Sequence, residues 1–266
     1  MFLRFMLILV CVFQLVFAHA GIVVVNGLTH NFQVAHGKSY KGKVQIENTG
    51  NTTETVKIYL QDFSYKADGT TTYSALNTNK RTNSNWITLN TNLLTLKPKE
   101  KTEIFFEITV PELNNTTGSF WSVLLVEPVE EIKPNNDKSG VSVTSIIRYA
   151  VQIITDLQSS DATPQLMFEA VNLVKEDNRK VVKVAVVNTG NLFSKNIVAV
   201  ELYSRESGEK IGSYSSVRLG LLPEMSKTFS IDITDVVPGN FNATILATDE
   251  QDNAFAINVE LEVKND

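Results

Sequence analysis

The chain has 266 residues, with 24 basic against 29 acidic side chains, three histidines, one cysteine and a formal net charge of −5. No basic block stands out, which argues against nucleic acid as a partner, and the single cysteine, Cys11, lies in an apolar N-terminal stretch, which excludes thiol chemistry and a disulfide framework for everything downstream. The remaining length is enough for two ordinary domains held by their cores alone.

Residues 1–20 read as a secretory leader. Arg4 supplies the positive start, Phe5 to Phe17 is apolar apart from Gln14, and Ala18-His19-Ala20 is an A-x-A cleavage signal. The apolar run is too short to favour a spanning helix, and Cys11 does not sit at a cleavage point, so no lipid anchor is expected. No other stretch could cross a membrane. The expectation is an exported chain, periplasmic, with the cell surface as the alternative. Without Arg4 the chain keeps 23 basic and 29 acidic residues.

Strand signals then dominate. Ile22–Val25, Lys43–Glu47, Thr55–Phe63, Lys101–Val110, Ser119–Glu127 and Val141–Ile154 are short runs rich in Val, Ile, Thr and aromatics, separated by turn residues. No long segment has helical periodicity. Seven or so strands at this spacing predict an immunoglobulin-like β-sandwich. The first domain is expected over 21–155, a polar linker ending in proline over 156–164, and a second domain over 165–266. Strands of the second are expected at Gln165–Leu173, Lys180–Val187, Asn196–Ser204, Lys210–Val217, Ser226–Thr234, Gly239–Thr248 and Ala254–Val263. The polar insertion Lys66–Ser84 is either a loop or a weakly specified hairpin.

The two domains are copies of one plan. Asn-Thr-Gly-Asn occurs at Asn48–Asn51 and again at Asn188–Asn191, each time between alternating apolar runs. Leu96-Lys97-Pro98 is echoed by Leu221-Leu222-Pro223, and Gly118-Ser119-Phe120 by Gly239-Asn240-Phe241. The fold class is therefore all-β, two tandem immunoglobulin-like sandwiches after a cleaved leader. Inward positions are expected at Trp86, Leu94, Leu96, Ile104, Phe106, Trp121, Val123 and Leu125 in the first, and at Val184, Val186, Val198, Val200, Leu202, Phe229, Ile231, Phe241 and Ile245 in the second.

Nothing in the sequence has the pattern of an active site, so no enzyme and no cofactor is expected. His30 and His36 lie in a turn-rich stretch without the spacing of a helix-borne zinc pair. There is no G-x-S-x-G elbow and no serine with a histidine placed as its base. The turn Asp249-Glu250-Gln251-Asp252-Asn253 offers oxygens to calcium but lacks the glycine and distal glutamate of an EF-hand loop; a solvated hairpin turn is the plainer reading. The sequons at Asn51, Asn114, Asn115 and Asn242 bear on function only in a host that glycosylates.

Val141–Ile154 is the most informative stretch. Val141, Val143, Ile147, Tyr149, Val151 and Ile153 share one face at the period of a strand, with Ser145 interrupting. Fourteen residues is long for a strand, and a charged, proline-bearing loop at 128–140 precedes it. Such an edge is a hazard unless paired or used. It is either used, in β-strand addition to a partner, or packed as the last strand of its domain.

Trp86, the turn Leu94-x-Leu96-x-Pro98-x-Glu100, the strand end Val110-Pro111, Gly118-x-Phe120-Trp121 and the long last strand together resemble the amino-terminal domain of the periplasmic pilus-assembly (PapD-like) chaperones. The resemblance covers about residues 22–155. It implies two immunoglobulin-like domains, no catalytic chemistry, and capture of exported β-rich subunits by strand addition. By that resemblance the partner-binding residues are Val141, Val143, Ile147, Arg148, Tyr149, Val151 and Ile153, with Arg148 taking a carboxylate through its planar fork. The chain departs from the family in two places. Lys99 stands where glycine is usual, and 22–34 holds no arginine or lysine where the family has a basic anchor. A structural or adhesive surface module of Fn3-like type is the alternative function, and self-association through the edge strand is a further possibility.

Overall fold

The computed structural model describes residues 21–112, 116–129, 146–157 and 161–264. In chain order the strands are β1 (Ile22–Val24), β2 (Thr29–Val34), β3 (Ser39–Asn48), β4 (Glu54–Tyr65), β5 (Thr71–Ser74), β6 (Ile87–Leu89), β7 (Leu93–Leu96), β8 (Lys101–Thr109), β9 (Gly118–Pro128) and β10 (Tyr149–Leu157). They continue with β11 (Leu166–Glu176), β12 (Arg179–Asn188), β13 (Ser194–Ser204), β14 (Lys210–Ser215), β15 (Leu219–Leu221), β16 (Ser226–Asp232), β17 (Gly239–Thr248) and β18 (Ala254–Val263). The first sandwich packs the sheet β1-β3-β8-β6 against β2-β10-β9-β4-β5, with β7 also on β4. The second packs β11-β12-β16 against β14-β13-β17-β18, with β15 on β13. The expected tandem sandwich is what the chain forms.

The chain changes sheets near its start. At Gly27, whose φ of 91° is in the left-handed region, β1 leaves β3 and the chain re-enters as β2 beside β10, the one parallel pair among the described residues. Asn26 braces the crossover: its Nδ2 donates to the Lys43 carbonyl at 3.0 Å, and its Oδ1 accepts from Gln45 N at 2.9 Å. The polar insertion is ordered as a hairpin followed by a braced turn. β5 pairs with β4, and the buried Asp62 carboxylate then accepts from Thr78 N, Asn79 N and Thr82 Oγ1 at 2.8, 2.8 and 2.6 Å.

The repeated tetrapeptide has one structural meaning. Asn48 and Asn188 are both fully buried. Asn48 Nδ2 donates to the carbonyls of Thr52, Leu96 and Lys97, and its Oδ1 accepts from Gly50 N at 3.0 Å. Asn188 Nδ2 donates to the carbonyls of Leu192 and Leu221, and its Oδ1 accepts from Gly190 N, also at 3.0 Å, and from Gln165 N at 3.3 Å. In each copy one amide closes its own turn and ties it to the Leu-x-Pro turn of a different strand pair. Those second turns match too. Lys99 and Glu224, each just after its proline, both have φ of 62°. Lys99 thus fills a left-handed position that a glycine would hold without steric cost.

The second-sandwich core contains all nine residues expected there, from Val184 to Ile245. In the first sandwich, Trp86, Leu96, Ile104 and Phe106 are in the core and Leu94 packs on it half-buried. Trp121, Val123 and Leu125 are buried, but on the opposite face of their sheet. Phe120, Leu124 and Val126 are the β9 residues that enter the first core. The run is apolar on both faces, so alternation alone could not say which set points inward.

Because the Asn188 amide serves four backbone groups, Asn188→Ala leaves buried carbonyls and N–H groups without partners. It should cost about 3 kcal/mol, and Asn48→Ala a similar amount. Denaturant unfolding of each variant against wild type measures both.

Candidate partner-binding surface

β10 is the last strand of the first sandwich, and its two flanks differ. On one side it pairs with β9 along its whole length, Tyr149–Leu157. On the other it pairs with β2 only from Gln152, whose N–H donates to the Leu28 carbonyl at 2.8 Å, to Leu157. Backbone groups alternate sides along a strand. The Ala150 N–H and C=O therefore point the same way as those of Gln152, where among the described residues no strand is paired. Around this open end the surface is apolar: Ile147 is 65 % exposed, Leu28 48 % and Ile146 47 %.

The strand is shorter and later than expected. Val141 and Val143 lie outside the described residues. Ile146, Ile147 and Arg148 precede the strand without sheet pairing, and the strand runs on to Leu157, so Asp156 and Leu157 belong to β10 and not to a linker. Arg148 stacks over the Tyr73 ring, with its guanidinium carbon 5.1 Å from the ring centroid. Tyr149 is half-buried against the first core. Val151 and Ile153 are fully buried within that core, because the face they share is the inner face of the sheet. The structure therefore brings Ile147 and Arg148 to the surface beside Tyr149, and encloses Val151 and Ile153.

The outer face of the same sheet meets the second sandwich. Phe63, Tyr65, Trp121, Val123, Leu125 and Ile154 belong to one apolar cluster with the second core. Tyr65 is the hinge pin: its Oη accepts from Leu222 N at 2.9 Å and donates to the Gly220 carbonyl at 3.4 Å, and burial pushes its phenol well above the usual tyrosine value. Ala67 N donates to Ser226 Oγ at 3.0 Å, and Thr228 Oγ1 donates to the Ala67 carbonyl at 2.8 Å.

A second seam is built on Ser119. Its N–H donates to the Asn191 carbonyl at 2.7 Å, and its Oγ accepts from Phe193 N at 2.6 Å while donating to Asp156 Oδ1 at 2.5 Å. Asp156 Oδ2 accepts from Asn31 Nδ2 and Gln33 Nε2 at 2.8 and 3.1 Å. Burial raises the Asp156 carboxyl above its ordinary value, although all three donors oppose the shift. Gly118 lets the backbones meet here: with φ of 92°, it has no room for a Cβ, which would lie 2.1 Å from the Asn191 carbonyl oxygen. Between the seams, a cleft of about 430 Å³ opens among Phe63, Tyr65, Thr71, Gln152, Lys227 and Thr228.

Sequence reasoning missed Ser119, Asp156 and Lys227. The available signal was Asp156 itself, an acid near the end of an apolar strand. The acidic turn after β17 is occupied by its own donors: Asp249 accepts from Gln251 N, Asn253 N and Asn253 Nδ2. Among the described residues no group of three or more metal-ligating side chains is assembled, and no helix is long and apolar enough to cross a membrane.

No known family profile matches the chain. A 129-residue stretch, 47 % of the chain, is 30 % identical to leucine–tRNA ligase of Mycoplasma capricolum, and the chain spans 15 % of that protein's length. Among solved structures the chain is similar to pilus chaperones. A chain from a chaperone–tip adhesin complex of CFA/I fimbriae aligns over 90 % of this chain and 98 % of its own, at 13 % identity and a TM-score of 0.47. A chain of the CsuC–CsuE chaperone–tip adhesion subunit pre-assembly complex of Acinetobacter baumannii aligns over 79 % and 90 %, at 14 % identity and a TM-score of 0.43. The CupB2 chaperone of Pseudomonas aeruginosa aligns over 89 % and 98 %, at 11 % identity and a TM-score of 0.41.

Two variants test the seam. Gly118→Ala must shift one backbone against the other and should cost at least about 2 kcal/mol in denaturant unfolding. Asp156→Asn replaces one accepting oxygen with an amide donor, which then faces either Ser119 Oγ or the Asn31 and Gln33 amides, and removes a carboxyl whose raised pKa penalises folding as pH climbs through and above the ordinary carboxylate range. The stability gap between wild type and Asp156→Asn should therefore widen as pH falls, which denaturation at a series of acidic pH values reads directly.

Proposed function

We propose that the chain is an exported, non-enzymatic, chaperone-like protein that captures incomplete β-rich subunits, of pilus or surface-structure type, by adding a strand at the open end of β10. The observation that carries this reading is the half-open flank of β10. β2 covers it from Gln152 onward, and the stretch before it, which pairs with no strand on that flank among the described residues, lies beside exposed Ile146, Ile147 and Leu28. An extended segment laid there gains main-chain hydrogen bonds, and the exposed isoleucines enter its apolar groove. The motif resemblance over 22–155 supports the same assignment.

The binding set is Val141, Val143, Ile147, Arg148 and Tyr149, ahead of a buried footing made by Val151 and Ile153. The footing holds the edge in register, because its side chains are locked in the first core. The function fits an exported location, with the subunits met as they emerge on the far side of the membrane.

Ile147→Asp is the decisive variant, since the side chain is 65 % exposed and its charge is solvated in the free protein. Thermal stability should be unchanged. Recovery of exported β-rich subunits from native periplasm, identified by mass spectrometry, should fall at least about tenfold. Undiminished recovery with Ile147→Asp would remove the strand-addition reading. Val151→Asp is unsuitable as a test, because a charge in the first core unfolds the domain.

A further inference from the structure

Downstream of residue 20 the chain carries two sulfur atoms, in Met167 and Met225. Met167 is 52 % exposed on β11. Met225 is half-buried in the turn between β15 and β16 and packs against the apolar cluster that the two sandwiches share. Its backbone is fixed to the second sandwich: Met225 N donates to the Leu222 carbonyl at 3.2 Å, and the Met225 carbonyl accepts from Asn188 N at 3.0 Å. Its side chain reaches the first sandwich, where Sδ accepts from Tyr65 N at 3.4 Å. Lys66 N donates to the Thr70 carbonyl within the β4–β5 hairpin, so the Tyr65 N–H, one residue earlier, points to the other flank of β4. Pairing with β9 has already ended there, at Gln61, and the thioether takes the place of a strand carbonyl. Tyr65 thus grips one turn at three points: Gly220 and Leu222 through its phenol, and Met225 through its backbone. The thioether is the contact that a two-electron oxidant changes.

We propose that Met225 is a redox-sensitive modification site at the seam, converted to the sulfoxide by hydroperoxides, and that its oxidation loosens the first sandwich from the second. A sulfur lone pair attacks one peroxide oxygen, so that an S–O bond forms as the O–O bond breaks. The proton on the transferred oxygen passes to the departing one. The thioether loses two electrons, and the hydroperoxide is reduced to an alcohol or to water. The sulfoxide sulfur carries partial positive charge and no longer accepts from Tyr65 N–H. If the new oxygen points along the old contact it pushes the sulfur back, because 3.4 Å is too short for an S–O bond in line with a hydrogen bond. If it points elsewhere it puts a polar atom into the apolar cluster. Either orientation weakens the hold of Tyr65 on the 220–225 turn, and enzymatic reduction of the sulfoxide reverses the change. The site stands independently of the strand-addition reading.

The test treats the exported chain with hydrogen peroxide under native conditions. Peptide mass spectrometry follows oxygen uptake at each methionine, and hydrogen exchange follows the amides of residues 63–67 and 220–226. Uptake at Met167 should leave exchange in both segments unchanged. Uptake at Met225 should raise exchange in both at least about tenfold, while the core strands β8 and β12 stay protected. Met167→Leu, which leaves Met225 as the reactive thioether, should keep the response. Met225→Leu, which keeps the bulk and removes the sulfur, should lose it. A methionine sulfoxide reductase should restore the original exchange. No uptake at Met225 while the core strands stay protected, an oxidised Met225 with unchanged exchange, or the same response in Met225→Leu would each overturn the proposal. If Met225→Leu folds poorly, Met167→Leu decides the matter by itself.

Discussion

Burial of β9 on both faces is the constraint on which the molecule is built. Phe120, Leu124 and Val126 enter the first core, while Trp121, Val123 and Leu125 join the apolar cluster of the second. Leaving the second set in water would expose a contiguous apolar patch on the sheet. The second sandwich covers it, and the indole N–H of Trp121, which would otherwise be stranded, donates to the Phe63 carbonyl at 2.7 Å. The two sandwiches are consequently joined by an apolar seam, not merely by a tether, and the cleft beside it has fixed walls.

The polar contacts at the seam give that apolar contact its geometry. Ser119 is both donor and acceptor, so one hydroxyl links the Asp156 carboxylate of the first sandwich to the Phe193 N–H of the second. Tyr65 does the same with its phenol at Gly220 and Leu222. Buried polar groups of this kind are costly unless satisfied and directional when they are. They set one orientation between two apolar surfaces that could otherwise slide.

This rigidity bears on the proposed function. A strand-adding edge must be held out without collapsing onto its own sheet or pairing with another copy. β2 seals the part of β10 nearest the seam and leaves the part nearest Ile147 open. Pairing therefore begins at a defined residue, Gln152, which also borders the Lys227 cleft.

The sequence by itself determined the all-β class, the duplication, most of the longer strands and nine residues of the second core. Those follow from local rules: period-two alternation, turn residues, and an asparagine repeated in the same setting. Asn48 and Asn188 were visible as a motif, although their four-way bonding to a distant turn was not, because hydrogen bonds between strands far apart in sequence leave no periodic trace. Ile147 and Arg148 were legible as candidates for the surface, whereas the enclosure of Val151 and Ile153 was not. Only the tertiary structure decided which face of β9 belongs to which core, how Ser119, Asp156 and Tyr65 close the seam, and that Lys227 enters the cleft beside Gln152. A run apolar on both faces carries no sign of direction, and a lone lysine in a polar strand looks solvated until the neighbouring sandwich takes its water away.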